Sequence, residues 1–129
     1  MTEKHDIKKD KVILIVDDEE INLKTNAAIL KKLYEVDIAL NGREAIDKAG
    51  EKIYSAILMD INMWGGIDGL MATREIRKIP GYLDIPIIAF TANTTPEDYQ
   101  NCFDAGCSHF IPKPFNIEDF KTFFLKILG

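Results

Sequence analysis

Short apolar runs, each ended abruptly by a polar residue, set the pattern of this chain. Val12-Ile13-Leu14-Ile15-Val16 is cut off by Asp17-Asp18-Glu19-Glu20, Ala56-Ile57-Leu58-Met59 by Asp60, and Ile85-Pro86-Ile87-Ile88-Ala89-Phe90 by Thr91. Uninterrupted runs of this length, rich in β-branched residues, suit strands covered on both faces, as in a parallel sheet. Weaker strands are expected at Val36 to Ala39 and His109 to Pro112. Between them the period changes to that of helices. Glu20 to Leu33 places Ile21, Ala27, Ala28 and Leu30 on one face. Asn41-Gly42-Arg43-Glu44 has capping-box spacing and opens a helix with Ala45, Ile46 and Ala49 inward. Asp68 caps a helix carrying Ala72, Ile76 and Ile79 at i, i+4 and i+7. Thr95-Pro96-Glu97 reads as cap, first-turn proline and first-turn acid, with Gly106 as the stop. Asn116 caps a last helix whose Phe120, Phe123, Phe124 and Ile127 form an apolar stripe, read as core.

A β-α unit repeated five times closes into one twisted parallel sheet with five helices on its two faces, because crossovers are right-handed. Five strands suit the flavodoxin-like, doubly wound α/β fold with strand order 2-1-3-4-5, in which the fifth strand is an edge where Pro112 is tolerated. The 129 residues are enough for one domain that buries roughly two-thirds of its unfolded surface. Composition then removes several classes of function. With 16 basic against 21 acidic residues the net charge is −5, which argues against direct nucleic-acid binding or an anionic-membrane partner. There is no run of the ~20 apolar residues that a membrane helix requires, and the polar start MTEKHDIKKDK does not resemble a secretion signal. Cys102 and Cys107 read as inert thiols of a reduced, cytoplasmic protein. Residues 1–10 read as a flexible tail.

The candidate chemistry stands where ligands bind in such sheets, beyond the carboxyl ends of the strands. Asp17 and Asp18 follow the first strand, Asp60 the third, Thr91 the fourth and Lys113 the fifth. Three convergent carboxylates repel one another, and an open site of oxygen ligands relieves this by taking Mg²⁺. Two cations and a hydroxyl around one carboxylate match the needs of a transferring phosphoryl group, and a carboxylate can itself be the acceptor. The bland readings are set beside these. Glu19 and Glu20 read as helix-entry acids. His109 reads as a polar strand-end residue, His5 as part of the tail, and Trp64 as a surface-packed loop aromatic with a partner contact as the minor alternative.

Over Lys11 to Leu128 the chain resembles the receiver domain of two-component response regulators. The resemblance rests on Ile-Val-Asp-Asp-Glu at 15–19, Leu-Met-Asp-Ile-Asn-Met at 58–63, Asp-Gly at 68–69, Phe-Thr-Ala-Asn at 90–93 and Lys-Pro-Phe at 113–115, in order and each at a strand end. It makes residues 11–129 a receiver domain with Asp60 as phosphoacceptor. It implies Mg²⁺, with Mn²⁺ as an alternative, held by Asp18, Asp60 and the Asn62 carbonyl, with Asp17 acting through water. Lys113 would pair with the phosphoryl group, and Thr91 would supply a hydroxyl beside the Ala92 backbone N–H. Thr91 and Phe110 would form the switch, Asn62 and Asn93 would tune the acyl-phosphate lifetime, and Lys113–Pro114 would be cis. The implied donor is a sensor histidine kinase or phosphotransfer protein, and the implied output is a downstream protein met by the fourth helix, fifth strand and fifth helix. Asn22 and Cys102 tilt the resemblance toward receivers of hybrid histidine kinases. Met63-Trp64-Gly65-Gly66-Ile67 departs from the family, which has a Pro after the acceptor and a loop one residue shorter.

Three other functions compete with this one. A Mg²⁺-dependent aspartyl phosphohydrolase would want a second Asp two residues after the nucleophile, where Asn62 stands. A flavodoxin would have to bind phosphate with Asp17-Asp18-Glu19-Glu20, which repels it. A phosphorylation-independent scaffold has no use for the complete acid, Thr and Lys set.

Overall fold

The computed structural model describes residues 10–63 and 67–129. The tail expected over residues 1–10, apart from Asp10, and the surface reading of Trp64 lie outside the described residues. Strands β1 (Val12–Val16), β2 (Glu35–Ala39), β3 (Ala56–Asp60), β4 (Ile87–Thr91) and β5 (His109–Pro112) alternate with helices α1 (Glu20–Leu30), α2 (Gly42–Glu51), α3 (Gly69–Arg77), α4 (Pro96–Ala105) and α5 (Ile117–Leu128). All the strand pairs are parallel, in the order β2-β1-β3-β4-β5.

Successive strand residues point to opposite faces, so one sheet makes two cores. Leu14 and Val16 of β1 join Ala45, Ala49, Ala72, Ile76 and Cys102 from α2, α3 and α4. Ile13 and Ile15 of the same strand join Leu23, Ala27 and Leu30 of α1 and Phe120 and Phe124 of α5. The helix starts follow local chemistry. Asn41, Asp68, Thr95 and Asn116 each accept a first-turn backbone N–H, and Gly106 closes α4 in the left-handed region at φ 117°. Glu44 completes its turn by accepting the N–H of Leu40 rather than that of Asn41. At the end of α3, the Arg77 guanidinium donates to the carbonyls of Tyr82 (2.5 Å), Ile85 (2.7 Å) and Gly106 (2.9 Å), tying the approach to β4 to the end of α4.

Three expectations are corrected here. Helix α1 ends at Leu30, not Leu33, and it buries Leu23 and Asn26 beside Ala27 and Leu30, whereas Ile21 is 78% exposed and Ala28 lies on the surface. Apolar residues lie all round this helix, so its composition does not choose a face; contact with α5 and the sheet does. Strand β4 starts at Ile87 because Pro86 has no N–H to give the ladder. Ile79 of the expected α3 stripe lies beyond the helix end and packs half-buried on the same core.

The register brings the strand ends level. Val16 pairs with Met59, so Asp17 stands beside Asp60, and Asp60 and Thr91 in turn face Phe90 and Pro112 across the next ladders. Residues separated by up to about a hundred positions thereby share one rim.

Candidate functional site

On that rim, carboxylate oxygens of Asp17, Asp18 and Asp60 lie within 4.8 Å of one another. Asp60, 3% exposed, is held from one side: its Oδ1 accepts from Lys113 Nζ at 2.9 Å and from the Asn62 N–H at 3.1 Å. The Lys113 ammonium also sits 4.7 Å from the centre of the Phe90 ring, an attraction that fixes its position beside Asp60. The peptide bond that follows, Lys113–Pro114, is cis.

Asp17 is 2% exposed. Burial pushes its carboxyl up to about 6, and the Asp60 charge adds to that, against the opposing Glu19 N–H (2.9 Å) and the Lys113 charge. Its second oxygen, Oδ2, is buried and has no hydrogen-bond partner among the described residues. A buried oxygen without a donor beside two further carboxylates is a donor set that fits a hard divalent cation.

Thr91 is 1% exposed. Its hydroxyl donates to Asn62 Oδ1 at 3.2 Å and accepts the Asn93 N–H at 3.0 Å; the Ala92 N–H reaches the same Asn62 oxygen at 3.5 Å. Phe110 stands apart from this group. It is half-buried against α4, 4.5 Å from the Tyr99 ring and edge-on to Phe103 at 4.7 Å. The side chain of Asn93 is exposed. Cys102 and Cys107 are buried in the core, and burial pushes the Cys107 thiol up to about 12, which leaves it unreactive.

The structure thus joins Asp17, Asp18, Asp60 and Lys113 in one cluster, links Thr91 and Ala92 to it through Asn62, and leaves Phe110 and Asn93 at its edge. Two contributors stand in the motifs at 68–69 and 90–93 but are given no role there. Phe90 reads as one more strand apolar, yet it seats Lys113. Gly69 reads as half of the Asp-Gly motif at 68–69, yet a Cβ there would meet the Asp60 carbonyl oxygen at 2.4 Å and Ile61 Cα at 2.9 Å, both backbone atoms. Gly69→Ala is therefore expected to lose about 1–2 kcal/mol in urea unfolding, because the added methyl meets backbone atoms that cannot swing aside. The Asp60 and Asn62 amide resonances should shift with it.

This arrangement of fold and site defines a class. The family described as response regulator receiver domain matches residues 13–124, and the chain belongs to it. Among curated relatives, hybrid signal transduction histidine kinase L of Dictyostelium discoideum is 37% identical over 121 residues, covering 88% of this chain and 7% of that protein. Histidine kinase 5 of Arabidopsis thaliana is 35% identical over 136 residues, covering 84% and 15%. The chain thus spans only a small part of each relative's length. Among solved structures, chemotaxis protein CheY4 of Vibrio cholerae superposes with a TM-score of 0.86 at 30% identity, covering 92% of this chain and 98% of that one. The receiver domain of sensor histidine kinase PA1611 from Pseudomonas aeruginosa does so with a TM-score of 0.82 at 36% identity, covering 90% and 95%, and carries a magnesium ion in its active-site cleft. Among the described residues no helix is long and apolar enough to cross a membrane.

Proposed function

We propose that Asp60 is the phosphoacceptor of a Mg²⁺-dependent, cytoplasmic signalling switch, charged by the phosphohistidine of a sensor histidine kinase or phosphotransfer protein. The observation that carries this reading is Asp60 held at 2.9 Å by Lys113 inside a cluster of three carboxylates. In the transfer, an Asp60 carboxylate oxygen forms a bond to phosphorus as the P–N bond to imidazole breaks, and the bonding pair stays on the ring nitrogen. Lys113, the Thr91 hydroxyl and the Ala92 N–H receive the phosphoryl oxygens, on which negative charge is spread. Asp17, Asp18, Asp60 and the Asn62 carbonyl would hold Mg²⁺, or Mn²⁺ in its place. When bound, it offsets the carboxylate repulsion and the charge of the phosphoryl group. Attack of water on phosphorus in the same site breaks the P–O bond to Asp60, releasing inorganic phosphate and returning the carboxylate, and the domain assists this dephosphorylation through the same groups. Drawing Thr91 toward the phosphoryl group opens space for Phe110, and the face of α4, β5 and α5 meets the downstream protein.

The kinase relatives favour a second form of the same reading, in which this is the receiver segment of a hybrid histidine kinase. Intact mass after incubation with Mg²⁺ and acetyl phosphate tests the function. One added phosphoryl group is expected, and none in the presence of a chelator. Rapid multiple turnover of small phosphate esters would instead favour the phosphohydrolase.

A further inference from the structure

The two donors assigned to the phosphoryl group already have an occupant. Asn62 Oδ1 takes the Thr91 hydroxyl at 3.2 Å and faces the Ala92 N–H at 3.5 Å. It is placed there by its own backbone, whose N–H is bonded at 3.1 Å to the Asp60 carboxylate. One residue thus bridges the acceptor carboxylate and the two groups that stand ready for the incoming oxygens, 29 positions away in sequence. A carboxamide oxygen and a phosphoryl oxygen are both acceptors wanting the same kind of donor, so the two compete for one seat. Asn62 also lines a recess of about 200 Å³ with Ile61, Met63 and Asp68, which gives the displaced side chain somewhere to go.

Resting on the phosphoacceptor reading, we propose that the Asn62 carboxamide is a positioning and competing group. It holds the Thr91 hydroxyl and the Ala92 N–H aimed into the site before any phosphoryl group is present, and it must release both for the phosphoryl group to be held. Asn62 therefore acts through Thr91 and Ala92. Its contacts work in two directions: they keep the donors oriented, and they subtract from phosphoryl binding the hydrogen bonds that have to be given up first.

Asn62→Ala removes the competing oxygen while keeping the backbone N–H bonded to Asp60 and the backbone carbonyl. Its affinity for beryllofluoride in the presence of Mg²⁺, a phosphoryl mimic, is expected to be about fivefold tighter than that of the wild type, the worth of one net hydrogen bond. In the free protein, the Ala92 amide proton should move upfield and exchange faster in the variant. A merely structural role for Asn62 would not move affinity and amide in this combination. In a Thr91→Ala background most of the gain should vanish, because the shorter of the two competing bonds is already gone; a gain of unchanged size there would assign the effect to side-chain bulk and overturn the proposal. Equal affinities for wild type and Asn62→Ala, or an Ala92 amide unmoved by the substitution, would also overturn it while leaving the phosphoacceptor reading intact. Failure of the wild type itself to bind beryllofluoride would remove that reading, and the proposal with it.

Discussion

Asp60→Asn is expected to abolish phosphoryl addition from acetyl phosphate altogether, with the wild type labelled once under the same conditions and the variant's intact mass unchanged. The carboxamide is nearly isosteric and its oxygen still accepts from Lys113 and the Asn62 N–H, so the rim keeps its shape. What disappears is the anionic oxygen, and a neutral amide oxygen is a poor nucleophile toward phosphorus. The neighbouring acids do not substitute for it. Asp17 accepts its hydrogen bond from the Glu19 N–H at 2.9 Å rather than from Lys113. Lys113, the fixed cation, is bonded to Asp60. Circular dichroism and urea unfolding should show a folded variant. Labelling of Asp60→Asn at any other side chain would move the acceptor elsewhere and break the assignment.

Asp17→Asn is expected to stabilise the metal-free protein, by about 1–2 kcal/mol in urea unfolding at pH 8 with chelator present. A carboxyl that titrates near 6 when folded and near its ordinary value of 3.8 when unfolded binds its proton more tightly in the native state. Between those values the native state holds more protons than the unfolded one, so stability falls as pH rises through that interval and stays lower above it. Each tenfold change in proton affinity is worth about 1.36 kcal/mol, and solvent at the mouth of the site reduces the full figure. Metal-free wild type should therefore gain stability from pH 8 down to about pH 5, while the variant shows a flatter profile and an advantage that vanishes near pH 4. Mg²⁺ should stabilise the wild type by linkage, and the variant less. A variant less stable than wild type at pH 8, or two profiles of the same shape, would mean that the buried Asp17 carboxylate carries no cost.

Both effects come from groups whose identity could be read along the chain and whose environment could not. The runs ending at Val16, Met59 and Phe90 are strands for a local reason, since β-branched residues in short, unbroken series suit a sheet covered on both faces. The caps at Asn41, Asp68, Thr95 and Asn116 are equally local, because each oxygen bonds an N–H two or three positions on. Helix α1 was less legible: with Ile21, Leu23, Ala27, Ala28, Ile29 and Leu30 spread around it, several faces were equally apolar, and packing against β1, β2 and α5 selected the one with Leu23.

By its own order of residues, the chain determined five β-α units, the parallel sheet they form, and an acid, a threonine or a lysine at the carboxyl end of four strands. The folded arrangement alone decided that Lys113 lies over Phe90 and against Asp60, that Gly69 leaves room for the Asp60 backbone, that Asp17 is buried with one oxygen unpartnered among the described residues, and that Asn62 reaches Thr91. The reason is distance along the chain. Period and capping act over a few residues, whereas the Lys113–Asp60 and Thr91–Asn62 contacts join residues 53 and 29 positions apart, and only the register between strands brings such groups to one rim.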